Sequence, residues 1–123
     1  MINLNYNSIK DRLDVNYSDT VTLDEIIDYI ETVKNDKSLP RKLKIRTIAN
    51  NIIMDFKTED LPIIVKAVSK SVKIYDLMID AFIVDKSKET AFSLLFSKIS
   101  NRDNYKFKVF STEEAAEQWL KHF

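Results

Sequence analysis

The stretch Ile79–Phe96, IDAFIVDKSKETAFSLLF, decides the predicted fold. In its first part, Ile79–Val84, almost all side chains are apolar, both those that point to one face of the strand and those that point to the other. This composition is typical of a strand covered by helices on both faces. The polar residues Asp85 to Ser87 then predict a turn into a helix. That helix has apolar residues at the spacing of one buried face: Phe92, Leu95, Phe96 and Ile99. Every other segment is best placed as a neighbour of this strand–helix unit.

The beginning of the chain predicts an antiparallel hairpin and a helix. Two neighbouring segments alternate apolar with polar residues, the pattern of half-buried strands, with Ile2, Leu4 and Tyr6 in the first and Leu13, Val15 and Tyr17 in the second. Thr22 and Glu25 have the spacing of a capping box, in which each side chain accepts the backbone N–H of the other residue. They predict a helix over Leu23–Asn35.

The middle of the chain predicts a strand and a second helix. Alternation over Leu43–Ala49 favours a strand, whereas Ile52–Phe56 is consistent with either a short strand or an extended loop over the core. Thr58 is in position to cap the second helix, and Pro62 falls in its first turn, where proline is tolerated. The apolar stripe of this helix contains five residues: Leu61, Ile64, Val65, Val68 and Val72.

The end of the chain predicts one more strand and one more helix. Lys106–Phe110 reads as a short strand, and Ser111 with Glu114 has the spacing of another capping box. The final helix presents Ala116, Trp119, Leu120 and Phe123 to the interior. We therefore predict a single α/β domain over residues 1–123, in the order β-β-α-β-α-β-α-β-α, with a mixed, mostly parallel sheet flanked by helices.

Composition excludes several kinds of catalytic or binding site. The 123 residues include no cysteine, so disulfides, thiolate metal sites and thiol nucleophiles are absent. The one histidine, His122, lies next to the C-terminus, so a site with several histidines in one chain is impossible. There is no glycine, and the phosphate loops GxGxxG and GxxxxGK[ST] therefore cannot form. We expect no cofactor and no metal.

Charge and hydropathy limit the kinds of partner that this chain is expected to have. The chain has 19 basic and 19 acidic residues, a balance that argues against general nucleic-acid binding. No apolar run approaches the roughly 20 residues of a membrane span, and the N-terminal MINLNYNSIK lacks the apolar core of a signal peptide. We expect a cytoplasmic protein without a membrane span.

Three segments together resemble a known family. VNYSDTVTLDEIIDYI, AFIVDKSKETAFSLLFSKI and KFKVFSTEEAAEQWL are similar to the STAS-like (SpoIIAA-like, anti-anti-sigma-factor-like) group of small bacterial domains. The last of them matches a strand that runs into a helix of the form VFxxxEEAxxWL, here with Val109, Phe110, Glu113, Glu114, Ala115, Trp119 and Leu120. The resemblance covers nearly the whole chain and implies a STAS-like fold and a role in protein–protein interaction.

The resemblance also implies a position for phosphorylation. Phosphorylatable members carry a Ser or Thr at the start of the second helix, which corresponds to Thr58 in this sequence. The family's usual setting is Asp-Ser-Ser/Thr-Gly, whereas this chain has Phe-Lys-Thr-Glu-Asp over residues 56–60. A helix cap is the other reason for a threonine at this position.

Ligands of open α/β sheets tend to bind beyond the carboxyl ends of the parallel strands. In this sequence those ends carry Asn50, Asn51, Asp85, Lys86, Ser111 and Thr112. These residues form either a small crevice for an anionic ligand at the helix N-termini or simply the turns and caps that follow the strands.

Acidic and basic residues offer further hypotheses. Asp80 and Asp85 are five positions apart on one strand, so alternation puts them on opposite faces and excludes a catalytic pair. The first helix is acidic on its outer face, whereas the second carries Lys66, Lys70 and Lys73. These charges either dock a charged partner or form a solvated surface of mixed sign.

The function expected from the sequence is that of a non-enzymatic interaction or regulatory module with a protein partner, acting as a monomer or homodimer. The alternative is a small-molecule or lipid-binding domain. That alternative predicts a cavity between the helices, lined by Phe92, Phe96, Trp119 and Tyr75, whereas an interaction module predicts a close-packed core.

Overall fold

The computed structural model describes residues 1–123 and contains seven strands and four α-helices. In chain order these are β1 Ile2–Asn7, β2 Arg12–Tyr17, β3 Thr20–Thr22, α1 Leu23–Asn35, β4 Lys42–Ala49, β5 Ile53–Asp55, α2 Leu61–Val72, β6 Leu77–Val84, α3 Ser87–Ser100, β7 Tyr105–Phe110 and α4 Glu113–Leu120. A single 3-10 turn, Thr58–Asp60, precedes α2. No helix combines the length and the apolar composition that a membrane span requires.

Five strands form one sheet in the order β1-β2-β4-β6-β7. The hairpin pair β1 and β2 is antiparallel, and every other pair is parallel. The predicted α/β class with a mixed, mostly parallel sheet is therefore confirmed. A second sheet is formed by the short strands β3 and β5, which pair in parallel. Of the two alternatives for residues 52–56, the strand is the observed one, whereas β3 was not predicted.

Helices cover the sheet unequally. The helical face, as we call it, lies under α1, α2 and α3, and its core includes Ile30, Val68 and Phe96 from the helices and Ile45 and Phe82 from the strands. The opposite side, the α4 face, buries a much smaller apolar cluster: Ile79, Ala81, Ile83, Ala116 and Leu120. The central strand β6 therefore has both of its faces buried, as its composition predicted.

Two of the three predicted helix caps are wrong. Thr22 and Glu25 form the expected capping box, with N–H to oxygen distances of 3.2 and 3.1 Å between heavy atoms. In contrast, α4 is capped by Thr112, which accepts the N–H of Ala115, and not by Ser111. Thr58 caps nothing, because the carboxylate of Asp60 accepts the N–H of Lys57 and closes the 3-10 turn before α2 begins.

The buried face of α3 also differs from the predicted one. Phe92 and Phe96 are buried, but Leu95 and Ile99 are 40% and 47% exposed. The positions that replace them are polar, and their hydrogen bonds explain their burial: Glu89 accepts the N–H of Met54, and the hydroxyl of Ser93 donates to the Glu89 carbonyl. These bonds rotate the helix so that its polar flank faces inward.

A side-chain amide covers the outer edge of β7. The Oδ1 atom of Asn101 accepts the N–H of Phe107 at 3.0 Å, and its Nδ2 donates to the Phe107 carbonyl at 3.1 Å. The backbone N–H of Arg102 donates to the Tyr105 carbonyl, and the N–H of Tyr105 donates to the Arg102 carbonyl. Unpaired edge groups are templates for pairing with another chain, so this arrangement protects the edge.

Replacing the edge amide should expose that edge. We expect Asn101→Ala to lower the free energy of unfolding by about 1–2 kcal/mol, because the Phe107 N–H loses its acceptor and the Phe107 carbonyl keeps only the Ser97 hydroxyl as a donor. Urea denaturation measures this loss, and sedimentation velocity should detect new self-association. Asp103→Ala is the control, since Asp103 is exposed in the same loop and makes no ion pair or side-chain hydrogen bond. Equal stability and equal sedimentation of the two variants would contradict a protective role for Asn101.

Candidate functional site

The residues predicted at the carboxyl ends of the strands lie on the surface. Asn51 adopts a left-handed backbone conformation with φ of 55°, and its N–H donates to Oδ1 of Asp85 at 2.8 Å. The structure therefore brings Asn51 and Asp85 together through a hydrogen bond between the loops that follow β4 and β6. Asn50 and Lys86 are exposed, and neither side chain makes a hydrogen bond. Binding at this edge stays a prediction.

Thr58 is exposed at the first position of the 3-10 turn, and its hydroxyl has no hydrogen-bond partner. The side chain therefore has no structural partner that would explain it, and phosphorylation there stays a prediction.

A cavity of about 70 Å³ lies between the helical face of the sheet and the helices that cover it. Sixteen residues line it, and fourteen of them are hydrophobic. They come from α1, α2 and α3 on one side, from β2, β6 and β7 on the other, and from β5 and the residue after it. Because three helices and three strands of the main sheet contribute to its wall, the cavity depends on the packing of the helical layer on the sheet. We call it the Asp80 cavity.

Asp80 gives the cavity its one formal charge. Its residue surface is 6% exposed, and the Thr47 hydroxyl, which donates to Oδ1 at 2.9 Å, is the only protein group hydrogen-bonded to its carboxyl. None of the ion pairs in the chain includes Asp80. Burial raises the pKa of Asp80 to about 7, and the Thr47 hydrogen bond partly opposes that rise.

Three tyrosines line the same cavity. Tyr6 and Tyr75 use their hydroxyls in hydrogen bonds, but those of Tyr17, Tyr29 and Tyr105 bond to no protein group. Burial raises the pKa of each of the three, and the charge of Asp80 adds to the effect. All three therefore remain neutral at physiological pH and keep hydroxyls that can donate or accept a hydrogen bond.

Aromatic contacts make the cavity wall continuous. The rings of Phe82 and Phe107 lie 5.2 Å apart, and Phe96 meets Phe107 edge to face at 4.9 Å. Phe56 and Phe92 form another pair at 5.4 Å. Such contacts fix ring orientations beyond what area burial alone would do. The cavity is therefore present before any molecule enters it.

The cavity matches only half of the lining predicted for a binding domain. Phe92 and Phe96 line it as expected. Trp119 instead packs on the α4 face against Phe110 and Phe123, because α4 crosses to that side of the sheet. The Tyr75 hydroxyl donates to the Val33 carbonyl at 2.6 Å, which holds that ring away from the cavity.

Asp80 was not predicted as a site residue, although the sequence contains a signal for it. Within Leu77–Val84, LMIDAFIV, it is the only polar residue in a strand that is otherwise buried on both faces. A charged residue in such a strand is uncommon unless it is paired or functional.

A group of charged residues on the α4 face forms a network of ion pairs. On the α4 face, Arg12 contacts Asp14 at 2.8 Å and Glu117 at 2.7 Å, and Arg46 contacts Glu117 at 3.1 Å. This network ties α4 to β2 and β4, so its cations are not free to bind an anion. No ion pair links the acidic α1 with the basic α2, and docking of a charged partner at this surface stays a prediction.

No group of three or more His, Asp or Glu side chains is arranged to hold a metal ion. Comparisons with protein-family models, with curated proteins and with solved structures find no match.

Titration of Asp80 should make the stability of the fold depend on pH. Because its folded pKa is about 7 and its unfolded value is near 4, the folded state holds a proton that the unfolded state has released between these values. The contribution of Asp80 to stability should be largest below about pH 4 and fall as the pH rises to about 7. Asp80→Asn keeps an acceptor for Thr47 without the charge, so we expect it to gain about 2–4 kcal/mol at pH 8 and little at pH 4.

Urea denaturation of both proteins at a series of pH values measures this difference, and all other titrating groups cancel in the comparison. A stability difference between wild type and Asp80→Asn that does not change with pH would contradict the raised pKa.

Proposed function

We propose that this chain is a small-molecule-binding domain whose ligand enters the Asp80 cavity. The observation that carries the proposal is a buried carboxyl without a positively charged partner, placed at the wall of an apolar cavity. For folding alone an apolar residue would serve better at this position, because burying an uncompensated charge is costly. A bound ligand gives the charge and the unfilled space a common explanation.

The lining supports this proposal. Ligand sites in proteins are concave and mostly apolar, with a few polar groups that orient the ligand. The Asp80 cavity has aromatic and aliphatic walls, one carboxyl, and three tyrosine hydroxyls that are free to bond. The residues that carry polar groups are few and line one space, and such groups give a binding site its specificity.

The half-buried lining residues indicate the route of entry. Tyr17, Tyr29 and Phe56 are the parts of the wall that reach solvent. Tyr17 ends β2, and Phe56 directly follows β5, so this side lies near the carboxyl ends of the strands. Ligands of open α/β sheets commonly approach from that end.

The volume limits the size of the ligand. An engineered apolar cavity of about 150 Å³ accepts benzene, so about 70 Å³ suits a molecule of a few heavy atoms without rearrangement. A larger ligand requires the wall to move, and the half-buried Phe56 is the aromatic group best placed to do so.

Filling the cavity should abolish binding. Isobutanol, which is smaller than benzene and suits the volume of the cavity, serves as the probe, with amide chemical shifts followed by NMR during titration. We expect saturable shifts around Phe82, Phe96 and Tyr105 in the wild type and none in Val68→Phe, because Val68 lines the cavity and the added ring occupies it. Ile63→Phe adds the same ring on the same helix at a side chain that is 50% exposed, so this control should bind isobutanol like wild type.

The absence of saturable shifts in wild type, or equal shifts in wild type and Val68→Phe, would contradict the proposal.

A second candidate function is protein interaction, the role that the STAS-like resemblance implies. The observation that favours it is an apolar stripe on the outer side of α3, where Leu94, Leu95 and Ile99 are 55%, 40% and 47% exposed. Exposed apolar groups that are neighbours on one helix are typical of contact surfaces. The stripe lies outside the Asp80 cavity, so the two functions are separable.

Since the net charge of the chain is zero, two copies do not repel each other as a whole, and we propose a second copy as the occupant of the stripe.

Charge on the stripe should prevent that association. If copies meet through α3, the weight-average mass in sedimentation equilibrium should rise with concentration for wild type and stay monomeric for Leu95→Lys. Ile9→Lys is the matched control, because Ile9 is 93% exposed in the hairpin turn, far along the chain from α3. A wild type that remains monomeric, or a loss of association in Ile9→Lys as well, would rule out this candidate.

A further inference from the structure

We propose that the Asp80 cavity selects a small organic cation, a protonated amine on a compact apolar body. This inference rests on the proposed binding function and names its ligand class. It follows from the polar groups that the cavity offers and from those that it lacks.

The carboxyl of Asp80 has acceptor positions that no protein group uses. Thr47 donates to Oδ1, and no protein group donates to Oδ2. A carboxylate has about four acceptor positions, so most of those on Asp80 are unused. An ammonium group supplies both the missing donors and the opposite charge, which is the combination that makes a buried carboxylate favourable.

The residues that line the cavity do not suit an anionic ligand. No lysine, arginine or histidine lines the cavity, so nothing in the wall would compensate a carboxylate or a phosphate. The other polar lining residue outside the tyrosines is Ser93, and its hydroxyl already donates to the Glu89 carbonyl. The carboxyl of Asp80 would repel an anion directly.

The other residues of the cavity wall suit an organic cation. The hydroxyls of Tyr17, Tyr29 and Tyr105 can each accept a hydrogen bond, and the aromatic faces around them attract a cation through the ring quadrupole. Aliphatic residues of α1 and α2, such as Ile30 and Ile64, complete the lining and suit an apolar body. Charge, acceptors and apolar surface therefore all favour the same chemical class.

Binding of such a cation should depend on pH in a defined direction. The ammonium group pairs with the carboxylate form of Asp80, so its affinity should increase as the pH rises from 6 to 8, around the pKa of about 7. The titratable groups that face Asp80 are Tyr17 on β2, Tyr29 on α1 and Tyr105 on β7, and burial keeps them neutral in this range. The lining residues of α2 and α3 carry no titratable group.

The test compares three probes with the same branched carbon skeleton: isobutylamine, isobutanol and isobutyrate. Alkylammonium groups titrate near pH 10, as lysine does, so the amine stays protonated between pH 6 and 8. Calorimetry and NMR titration at pH 8 should show isobutylamine binding wild type about tenfold more tightly than isobutanol, a difference of about 1.4 kcal/mol. Isobutyrate should not bind.

Two variants show whether the preference for the amine depends on Asp80 and whether binding depends on the cavity. Asp80→Asn should abolish the preference for the amine and retain isobutanol, and Val68→Phe should lose both ligands. If Asp80→Asn does not fold, the pH dependence of wild type decides, because only pairing with Asp80 predicts an affinity that rises between pH 6 and 8.

The possible results separate the two proposals. If isobutanol binds in a manner sensitive to Val68→Phe but the amine binds no more tightly, the cation inference is overturned and the binding function stands. Amine binding of equal strength in wild type and Asp80→Asn also overturns it. If none of these probes binds, both proposals fail together.

Discussion

The central strand β6 has to bury both of its faces, and the rest of the structure depends on that constraint. Alternate side chains of the strand enter two separate cores, with Met78 and Phe82 under the helical face and Ile79 and Ile83 under α4. Parallel strands flank it on both sides, so its backbone hydrogen bonds are also satisfied within the sheet. Any polar side chain in this strand must find its partners inside the protein. Asp80 is the one residue for which the protein supplies only part of them.

The position of Asp80 accounts for the chemistry of the cavity above it. Asp80 lies on β6 among the residues that line the space between the sheet and the helical layer. The same space is lined by aromatic residues, among them three tyrosines whose hydroxyls have no protein partner. Burial then raises the pKa of the carboxyl to about 7, so near neutral pH it can donate or accept a proton. The proposed ligand class follows from this one placement.

Polar groups also determine how α3 lies on the sheet. The buried carboxylate of Glu89 holds the backbone of β5 through the Met54 N–H, which connects the small β3-β5 sheet to the main helical layer. Because the helix turns Glu89 and Ser93 inward, three large apolar side chains are left outside. The exposed stripe that could serve a partner is thus a consequence of the hydrogen bonds that position β5 at the cavity wall.

Local patterns account for the parts of the structure that could be predicted from the sequence. The hairpin, the strands β4, β6 and β7, the four helices and the cap at Thr22 follow from periodicity and from interactions between residues a few positions apart, and the alternation of elements implies the parallel sheet. Composition likewise removes whole classes of site, because a chain without cysteine or glycine cannot build them. The tertiary structure alone decided which side of α3 is buried, that Trp119 belongs to the opposite face, and that Asp80 and three tyrosines share one cavity. The physical reason is that burial, an unpaired charge and a cavity are properties of contacts between distant segments, and these exist only after the helices pack on the sheet.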